Sequence, residues 1–394
     1  MKYRFASRME KTPRSFIREI LKVTEDPNII SFGGGLPNPA LFPVEALVEA
    51  AREVLAGDGM SALQYSTTEG YLPLREFIAK RYRKRTGLTI SAEHILITNG
   101  SQQCLDLVGK VLIDPNDPVA IERPGYLGAI QAFSLYEPQF QEVPLLEDGP
   151  DMEVLSQVLD TSSPKLFYGV PNFQNPTGIS YSGKKRREVA GILMEHDTLF
   201  IEDDAYGELR FRGEDLPLVG SYLPEQGIIT GSFSKIIAPG MRMGWIAAPP
   251  EVFTQLVTAK QASDLHSNYL TQRIIYKYLI DNDIDLHIRH IREVYHHQRD
   301  IMVKVIEETF PPGVSITRPD GGMFLWATLP PGFSTMDLFQ IAIKENVAFV
   351  PGDPFYTDGT GSNTMRLNYS NSDEERIVEG ITRLSKAIRR MINN

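Results

Sequence analysis

The 394-residue sequence contains a single cysteine, Cys104, which excludes an intrachain disulfide framework and a cysteine-rich structural zinc site. It has no run of about eighteen apolar residues, so no segment is predicted to span a membrane as a helix. Basic residues are not in excess, since 40 Lys and Arg against 50 Asp and Glu give a net charge of −10. That balance disfavours nucleic-acid binding through a broad basic surface and favours work on small molecules.

The composition is that of an ordinary globular protein. A hydrophobic fraction of 42% and a charged fraction of 23% are typical values, and the length suggests two or three domains. The first twenty or so residues are rich in Lys and Arg and lack the apolar stretch of a secretory signal. We therefore expect a cytoplasmic protein whose N-terminus forms an amphipathic arm.

Between residue 44 and about residue 262, helical patterns alternate with short β-branched runs, which is typical of a mostly parallel α/β sheet. The predicted strands cover 94–98, 118–122, 165–170, 198–202, 227–231 and 243–248. The predicted helices cover 44–55, 73–85, 101–112, 152–159, 184–196 and 250–263. Several strands are continuous apolar runs, so we expect helices to cover both faces of the sheet.

The alternation stops near residue 283. A long charged helix over 284–308 is followed by strand patterns at 314–317, 323–328 and 365–368 and by helical patterns at 336–345 and 373–391. This mixture predicts a second, smaller α+β domain. We divide the chain into an arm of residues 1–43 that contributes to the small domain, a large domain of residues 44–283 and a small domain of residues 284–394.

Polar clusters follow the predicted strands, at the edge where an open α/β sheet binds its ligands. The strand at 94–98 runs into NGSQQ at 99–103, where a helix begins. Its free N–H groups and hydroxyl can bind an anion, although an ordinary serine N-cap explains the pattern equally well. The strand at 165–170 ends in a turn at 171–178 that contains Asn175.

Two further strand ends carry charged groups. Glu202, Asp203 and Asp204 could hold Mg²⁺, but no Walker A pattern accompanies them, which favours one carboxylate paired with a cationic group. After the strand at 227–231, Lys235 lies beside small and apolar residues, where burial lowers the pKa of an amine and prepares it to form a Schiff base. Arg242 and two serines add a phosphate site. Together these groups point to pyridoxal phosphate.

These motifs, in this order, resemble those of the class I and II aminotransferases, and more closely the branch with kynurenine and 2-aminoadipate aminotransferases. The resemblance runs from about residue 17 to the C-terminus. It rests on SFGGGLP (31–37), LQYS (63–66), NGSQQ (99–103), NPTG (175–178), DDAY (203–206), SFSK (232–235), GMRMG (240–244) and RL (366–367). It implies pyridoxal-phosphate fold type I, with a mostly parallel seven-stranded type of sheet in the large domain and a smaller α+β domain.

The resemblance also implies roles for individual residues. Lys235 would hold the cofactor and move the proton, Asp203 would face the pyridine nitrogen, and Tyr206 with Asn175 would bind the ring hydroxyl. Tyr126 would stack on the ring, unless it is only a packing aromatic in its turn. The phosphate would be held by Ser101, Gln102, Ser232, Ser234 and Arg242. The substrate would meet Arg366 at its α-carboxylate, together with Asn175, Gly35 and Arg18.

The activity implied is transamination between an L-amino acid, whether 2-aminoadipate, aromatic or aliphatic, and a 2-oxo acid such as 2-oxoglutarate. A lyase or decarboxylase of the same fold shares these cofactor contacts and remains an alternative. A transcription regulator with an aminotransferase-like domain is disfavoured, because only about thirty residues precede Gly33 and the net charge is −10. The histidines of the long helix (His287, His290, His296 and His297) are assigned no metal.

The resemblance finally implies a homodimer with shared active sites. In the family a tyrosine from the neighbouring subunit completes the phosphate site, and Tyr65 matches it. The alternative is a tyrosine that packs within its own chain. No nucleic-acid or membrane partner is expected.

Overall fold

The computed structural model describes residues 3–11, Asp26 and residues 28–393. Its centre is an eight-stranded mixed sheet. In spatial order the strands are β2 (Ile95–Thr98), β9 (Gly244–Ala247), β8 (Gly227–Ser232), β7 (Leu199–Asp203), β6 (Leu166–Gly169), β3 (Pro118–Arg123), β4 (Gln139–Leu146) and β5 (Gly149–Pro150). The neighbouring strands from β8 through β7, β6 and β3 to β4 are parallel. Strand β9 is antiparallel to both of its neighbours, and the two-residue strand β5 is antiparallel to β4. The predicted mostly parallel sheet is confirmed.

Helices cover both faces of this sheet. They span Val44–Ala62, Leu72–Thr86, Ser101–Leu112, Leu127–Ser134, Met152–Ser162, Gly183–Leu193, Pro250–Asp264 and Tyr269–Asp281. Alternate residues of one strand belong to different apolar clusters: in β6, Tyr168 packs into one cluster and Phe167 into the other. Because both faces of such a strand are buried, apolar residues occupy successive positions, which explains the continuous apolar runs.

A second, antiparallel sheet is built by the C-terminal part of the chain. Its order is β10 (Ser315–Ile316), β11 (Phe324–Thr328), β14 (Thr364–Asn368) and β13 (Val350–Pro351). Helices Ile284–Thr309, Thr335–Lys344 and Glu374–Ile392 accompany it. Near the N-terminus, β1 (Ile30–Ser31) pairs in parallel with β12 (Val347–Ala348).

Of the described helices and strands with eight or more residues, three were not predicted: the helices Leu127–Ser134 and Tyr269–Asp281, and β4. Most of Leu127–Ser134 is apolar and buried, so it lacks the polar face that makes a helical period visible in sequence. A one-turn helix, Arg8–Lys11, precedes the rest. Across the described ranges, no helix combines the length and apolarity needed to cross a bilayer.

Candidate active site

A cavity of about 530 Å³ lies beyond the carboxyl ends of the parallel strands. Because β3, β6, β7 and β8 run in the same direction, the segments that follow them meet at one edge of the sheet. The cavity is lined by Gly35, Leu36, Pro37, Ser101, Gln102, Tyr126, Val170, Asn175, Asp203, Ala205, Tyr206, Ser232, Ser234, Lys235, Pro239, Arg242 and Arg366. Of the described residues predicted to bind cofactor or substrate, all but Tyr65 belong to this lining.

Lys235 ends a one-turn 3₁₀ helix that follows β8 directly. Its Nζ donates a hydrogen bond of 2.8 Å to the carbonyl of Gly35, which belongs to the arm. Burial, aided by the nearby charges of Arg366 and Arg242, lowers the pKa of Lys235 to about 8. An amine with this pKa is neutral far more often at physiological pH than a surface lysine, and is thus available as a nucleophile or base.

Asp203 is the last residue of β7 and lines the cavity. Its Oδ2 accepts a hydrogen bond of 2.8 Å from the buried Tyr168 hydroxyl. Its Oδ1 is buried and has no hydrogen-bond partner among the described residues. Burial raises the pKa of Asp203 to about 6, with the Tyr168 hydrogen bond acting in the opposite direction. A buried carboxylate without a cationic partner is suited to a ligand that supplies an N–H donor.

The two acids next to Asp203 each have a cationic partner, although Glu202 Oε1, 3.7 Å from Arg186 Nη1, makes no hydrogen bond among the described residues. Asp204 pairs with Arg85 and accepts a hydrogen bond of 2.8 Å from Asn172 Nδ2. Glu202 accepts one of 2.8 Å from the backbone N–H of Gly220. Of the three acids, only Asp203 lines the cavity, and it is the residue to which the family resemblance assigned the pyridine-facing role.

Arg366, Asn175 and Tyr206 form a hydrogen-bonded row along one wall. Arg366 Nη1 donates to Asn175 Oδ1 at 2.8 Å, and Asn175 Nδ2 donates to the Tyr206 hydroxyl at 3.3 Å. The guanidinium also donates to the Gly33 carbonyl at 2.7 Å and lies 4.4 Å from the ring centre of Phe324. Its Nε is buried without a partner in the described part of the chain, and burial lowers the pKa of Arg366 to about 10. The guanidinium is thus held in place, and its Nε–H can still donate a hydrogen bond to a ligand.

The opposite end of the cavity gathers groups that bind anions. Ser101 is the first residue of a twelve-residue helix whose N-terminus has no side-chain cap, so its first N–H groups can donate to an anion. The Ser232 and Ser234 hydroxyls are 2.8 Å apart, and Arg242 donates to the carbonyl of Asn99 at 3.2 Å. Gly100 has a φ of +78°, and a Cβ there would lie 2.6 Å from Arg242 Nη2, so a side chain would displace the arginine.

The remaining predicted residues are placed as follows. Tyr126 follows β3 and lines the cavity, and burial raises the pKa of its hydroxyl to about 12. Gln102 lines the cavity, but its side-chain amide donates to the Gly128 carbonyl at 2.9 Å. Tyr65 lies outside it with 79% of its surface exposed, and Arg18 lies outside the described residues.

Among the residues that sequence reasoning missed is Tyr168, whose hydroxyl donates to Asp203. The only sequence signal was a hydroxyl in an otherwise apolar strand. Its meaning depends on the parallel pairing of β6 with β7, which brings Tyr168 to the level of Ile201 and close to Asp203.

Comparison with known proteins gives one consistent result. A family model described as aminotransferase class I and II matches residues 27–384. A 2-aminoadipate transaminase of Thermus thermophilus is 45% identical over 96% of this chain and 94% of its own length. An aromatic-amino-acid aminotransferase of Thermococcus litoralis is 44% identical over 95% and 91%. The crystal structure of a Thermus thermophilus alpha-aminoadipate aminotransferase, complexed with N-(5'-phosphopyridoxyl)-L-leucine, matches with a TM-score of 0.92 and 43% identity, covering 99% of this chain and 98% of that one.

Proposed function

The chain belongs to the class I and II aminotransferase family, and we propose that it moves the amino group of an L-amino acid to a 2-oxo acid with pyridoxal phosphate held at Lys235. The observation that carries this proposal is one cavity lined by an amine of lowered pKa, a buried carboxylate without a cationic partner, an anion-binding end and a buried arginine. The chain is an aminotransferase, EC 2.6.1.-, with the architecture of pyridoxal-phosphate fold type I. The specific donor, acceptor and residue roles are the content of the proposal.

The residues present fit this cofactor. The unpaired Oδ1 of Asp203 suits a protonated pyridine nitrogen, and Tyr206 with Asn175 supplies polar groups for the ring hydroxyl. Ser101, Ser232, Ser234 and Arg242 supply hydroxyl, backbone and guanidinium donors for a phosphate dianion. When bound, pyridoxal phosphate reacts with amines and accepts the electron pair left at Cα after proton loss.

The protein's own groups then divide the work. Lys235, with its lowered pKa, would hold the cofactor covalently and, once freed by the substrate amine, would take the proton from the substrate Cα. Asp203 keeps the ring nitrogen charged, because an anion in a buried site favours a protonated partner. Arg366 would bind the α-carboxylate of both substrates through its fork.

The proposed donors are 2-aminoadipate, aromatic or aliphatic L-amino acids, with 2-oxoglutarate as the acceptor. Relatives named for 2-aminoadipate and for aromatic amino acids are almost equally similar, at 45% and 44% identity, so similarity alone does not separate these donors. A Cβ added at Gly35 would lie 3.7 Å from Phe324, so the glycine leaves room in that wall. Arg18, outside the described residues, is proposed as a further substrate contact.

The test is a panel of amino donors assayed with 2-oxoglutarate and analysed for ping-pong kinetics. We expect turnover to require both substrates and to be highest for one of the three donor classes. A lyase or decarboxylase of the same fold would consume the amino acid without an oxo acid. Turnover that is independent of the oxo acid would therefore refute the proposal and favour that alternative.

We also propose a homodimer in which Tyr65 reaches the phosphate of the partner subunit's site. Tyr65 is 79% exposed, and Met60 and Leu63 beside it are 93% and 69% exposed, which makes an apolar surface suited to an interface. The chain is further proposed to divide into an arm (1–43), a large domain (44–283) and a small domain (284–394). Two-fold symmetry would place both sites near the dimer axis.

Mixed dimers test the shared site directly. Chains with both Tyr65→Phe and Lys235→Ala are combined with wild-type chains, so that the heterodimer has one lysine-bearing site without the phenol. That site should retain cofactor less well than wild type, because a hydrogen bond to a charged group contributes about 1.5–3 kcal/mol. Equal retention, or full activity of a monomer, would show that Tyr65 does not act across the interface.

A further inference from the structure

Asp264 lies directly behind the turn at 99–103, at the end of the helix Pro250–Asp264. Its Oδ2 accepts two hydrogen bonds of 2.7 Å, from Asn99 Nδ2 and from Gln103 Nε2. These two amides flank Ser101, the first residue of the helix proposed to bind phosphate. The position of the turn is thus tied to one carboxylate that does not itself line the cavity.

Lys260 is hydrogen-bonded to both Asp264 and Gln103 and so completes this network. Its side chain is fully buried, and its Nζ lies 2.8 Å from Asp264 Oδ1 and 3.0 Å from Gln103 Oε1. Gln103 Oε1 in turn accepts the backbone N–H of Asn99 at 2.8 Å, and the Asn99 carbonyl accepts from Arg242. A buried ammonium is costly without a paired anion. The ion pair is therefore built into the packing beneath the anion-binding end of the cavity.

The backbone after Asp264 makes a γ-turn of the rare kind with a positive central φ. Leu265 has φ +65° and ψ −57°, and the His266 N–H donates to the Asp264 carbonyl at 2.8 Å. A branched residue is strained there, and such strain persists where the surroundings fix the turn on both sides. The side chain of Leu265 is 48% exposed, so its own packing does not explain the conformation.

On the far side of the turn, His266 supports the segment that carries Tyr65. Its Nε2 accepts the backbone N–H of Ser66 at 3.3 Å, and its Nδ1 lies 2.9 Å from the Ser267 carbonyl. A backbone N–H only donates, so Nδ1 carries the ring proton. The imidazole also meets the Tyr65 ring edge to face, with 5.9 Å between ring centres.

We propose that residues 264–266 are one positioning unit for two phosphate-binding parts. Asp264 holds the turn at 99–103 for the chain's own site, and His266 holds Tyr65 for the site of the partner subunit. The inference rests on the proposed function, since it assumes that both parts bind the cofactor phosphate. It adds that Asp264 and His266 act on phosphate affinity without touching the cofactor.

The first test compares two ligands of the full chain freed of its cofactor: pyridoxal phosphate, and pyridoxal, which lacks the phosphate. Asp264→Asn should weaken the binding of pyridoxal phosphate about tenfold and leave that of pyridoxal unchanged, because hydrogen bonds to a carboxylate are lost only at the phosphate turn. Asp281→Asn is the matched control, since Asp281 forms an i,i+4 pair with Lys277 at 2.9 Å in the next helix. This control should alter neither affinity.

General damage to the fold is separable from the proposed role. An equal loss of affinity for both ligands, or a loss for neither, would overturn the role of Asp264. The Tm of each cofactor-free variant is measured alongside. If Asp264→Asn lowers it strongly, the double variant Lys260→Met, Asp264→Asn takes its place, because it leaves no uncompensated buried ammonium. It should show the same preferential loss of pyridoxal phosphate.

The second test is a double-mutant cycle between His266→Ala and Tyr65→Phe. If His266 acts through Tyr65, each single change weakens pyridoxal phosphate binding, and the double variant is no weaker than Tyr65→Phe alone. Additive losses would overturn this half of the inference. No effect of Tyr65→Phe would refute the proposed role of Tyr65 itself and with it the role of His266, while the result for Asp264 is read independently.

Discussion

Two adjacent regions of the interior hold charged side chains in opposite ways. In the first, which we call the paired cluster, Arg85 is bonded to Asp204 and Arg81 to Glu208. Although burial opposes it, the hydrogen bond from Arg81 holds the pKa of Glu208 below its ordinary value. Every one of these four groups has a partner of opposite charge, although burial still raises the pKa of Asp204 above its ordinary value.

The second region is the cavity, where Lys235, Asp203 and Arg366 are equally buried but bond only to neutral groups within the described residues. Their partners are the Gly35 carbonyl, the Tyr168 hydroxyl, and Asn175 with the Gly33 carbonyl. Burial shifts all three pKa values toward the uncharged form. Buried charges without ion partners cost stability, so their retention here marks groups that a ligand completes.

Among the changes that test this comparison, Lys235→Ala should have the largest effect on activity. Transamination should fall by at least about 10²–10⁴-fold, the contribution of one positioned base, because covalent attachment and proton transfer are lost together. The Tm of the cofactor-free protein should hardly change, since no ion pair is removed. Initial rates and thermal melts measure both. Near-normal transamination would contradict the role of Lys235, and borohydride labelling of another lysine would reassign it.

The corresponding change in the paired cluster is Asp204→Asn. It leaves the buried guanidinium of Arg85 without its anion, so the free energy of unfolding should fall by about 3–5 kcal/mol. Urea unfolding of the cofactor-free protein measures the loss. The double variant Arg85→Met, Asp204→Leu removes both charges and should recover most of the stability. Unchanged stability in the single variant would mean that the pair is not structural.

Asp203→Asn should raise the free energy of unfolding, whereas Asp204→Asn lowers it, and the size of the increase should depend on pH. The folded-state pKa of about 6 lies above the usual value near 3.8, so the folded protein binds more protons than the unfolded chain between these values. Asp203 thus destabilises the fold increasingly as pH rises from about 4 to 6, reaching about 3 kcal/mol above pH 6. The variant should be more stable than wild type at pH 7.5 and equal to it near pH 4.

Urea unfolding of the cofactor-free Asp203→Asn protein at the two pH values tests this prediction. The holoenzyme should react slowly, because the ring nitrogen has lost its anion. A variant that is less stable than wild type at pH 7.5 would show that the carboxylate already has a favourable partner inside the protein.

The sequence predicted the sheet and most of the cavity because their signals are local. Strands such as β7 and β8 are apolar runs ended by polar turns, and DDAY and SFSK occupy those turns. Topology then brings the turns to one edge, which is why residues far apart in the chain line one cavity. The choice of Asp203 over Asp204 also followed from a local spacing.

What sequence could not supply are contacts that depend on register and on the ends of distant helices. Tyr168 reaches Asp203 only because β6 pairs with β7 in one register. Lys260 and Asp264 resemble any i,i+4 surface pair until the helix is packed beneath the turn at 99–103. The charge pairing that separates the paired cluster from the cavity is likewise visible only in the folded chain.

Arg366→Lys should have the smallest effect of the changes that test this comparison. It keeps the positive charge of a group without an anionic partner and removes the two-pronged guanidinium. Arg366 is held by Asn175 and the Gly33 carbonyl and lies against Phe324, so a lysine should fit without loss of stability. Its ammonium is a single point donor, whereas the guanidinium can grip a carboxylate through two parallel hydrogen bonds. We expect KM for the amino acid and the oxo acid to rise about tenfold with kcat little changed, because the loss falls on binding common to ground and transition states. Steady-state kinetics with both substrates measure this. If KM is unchanged, the α-carboxylate is bound elsewhere; if kcat falls instead, Arg366 contributes to the alignment of the reacting bond more than to binding.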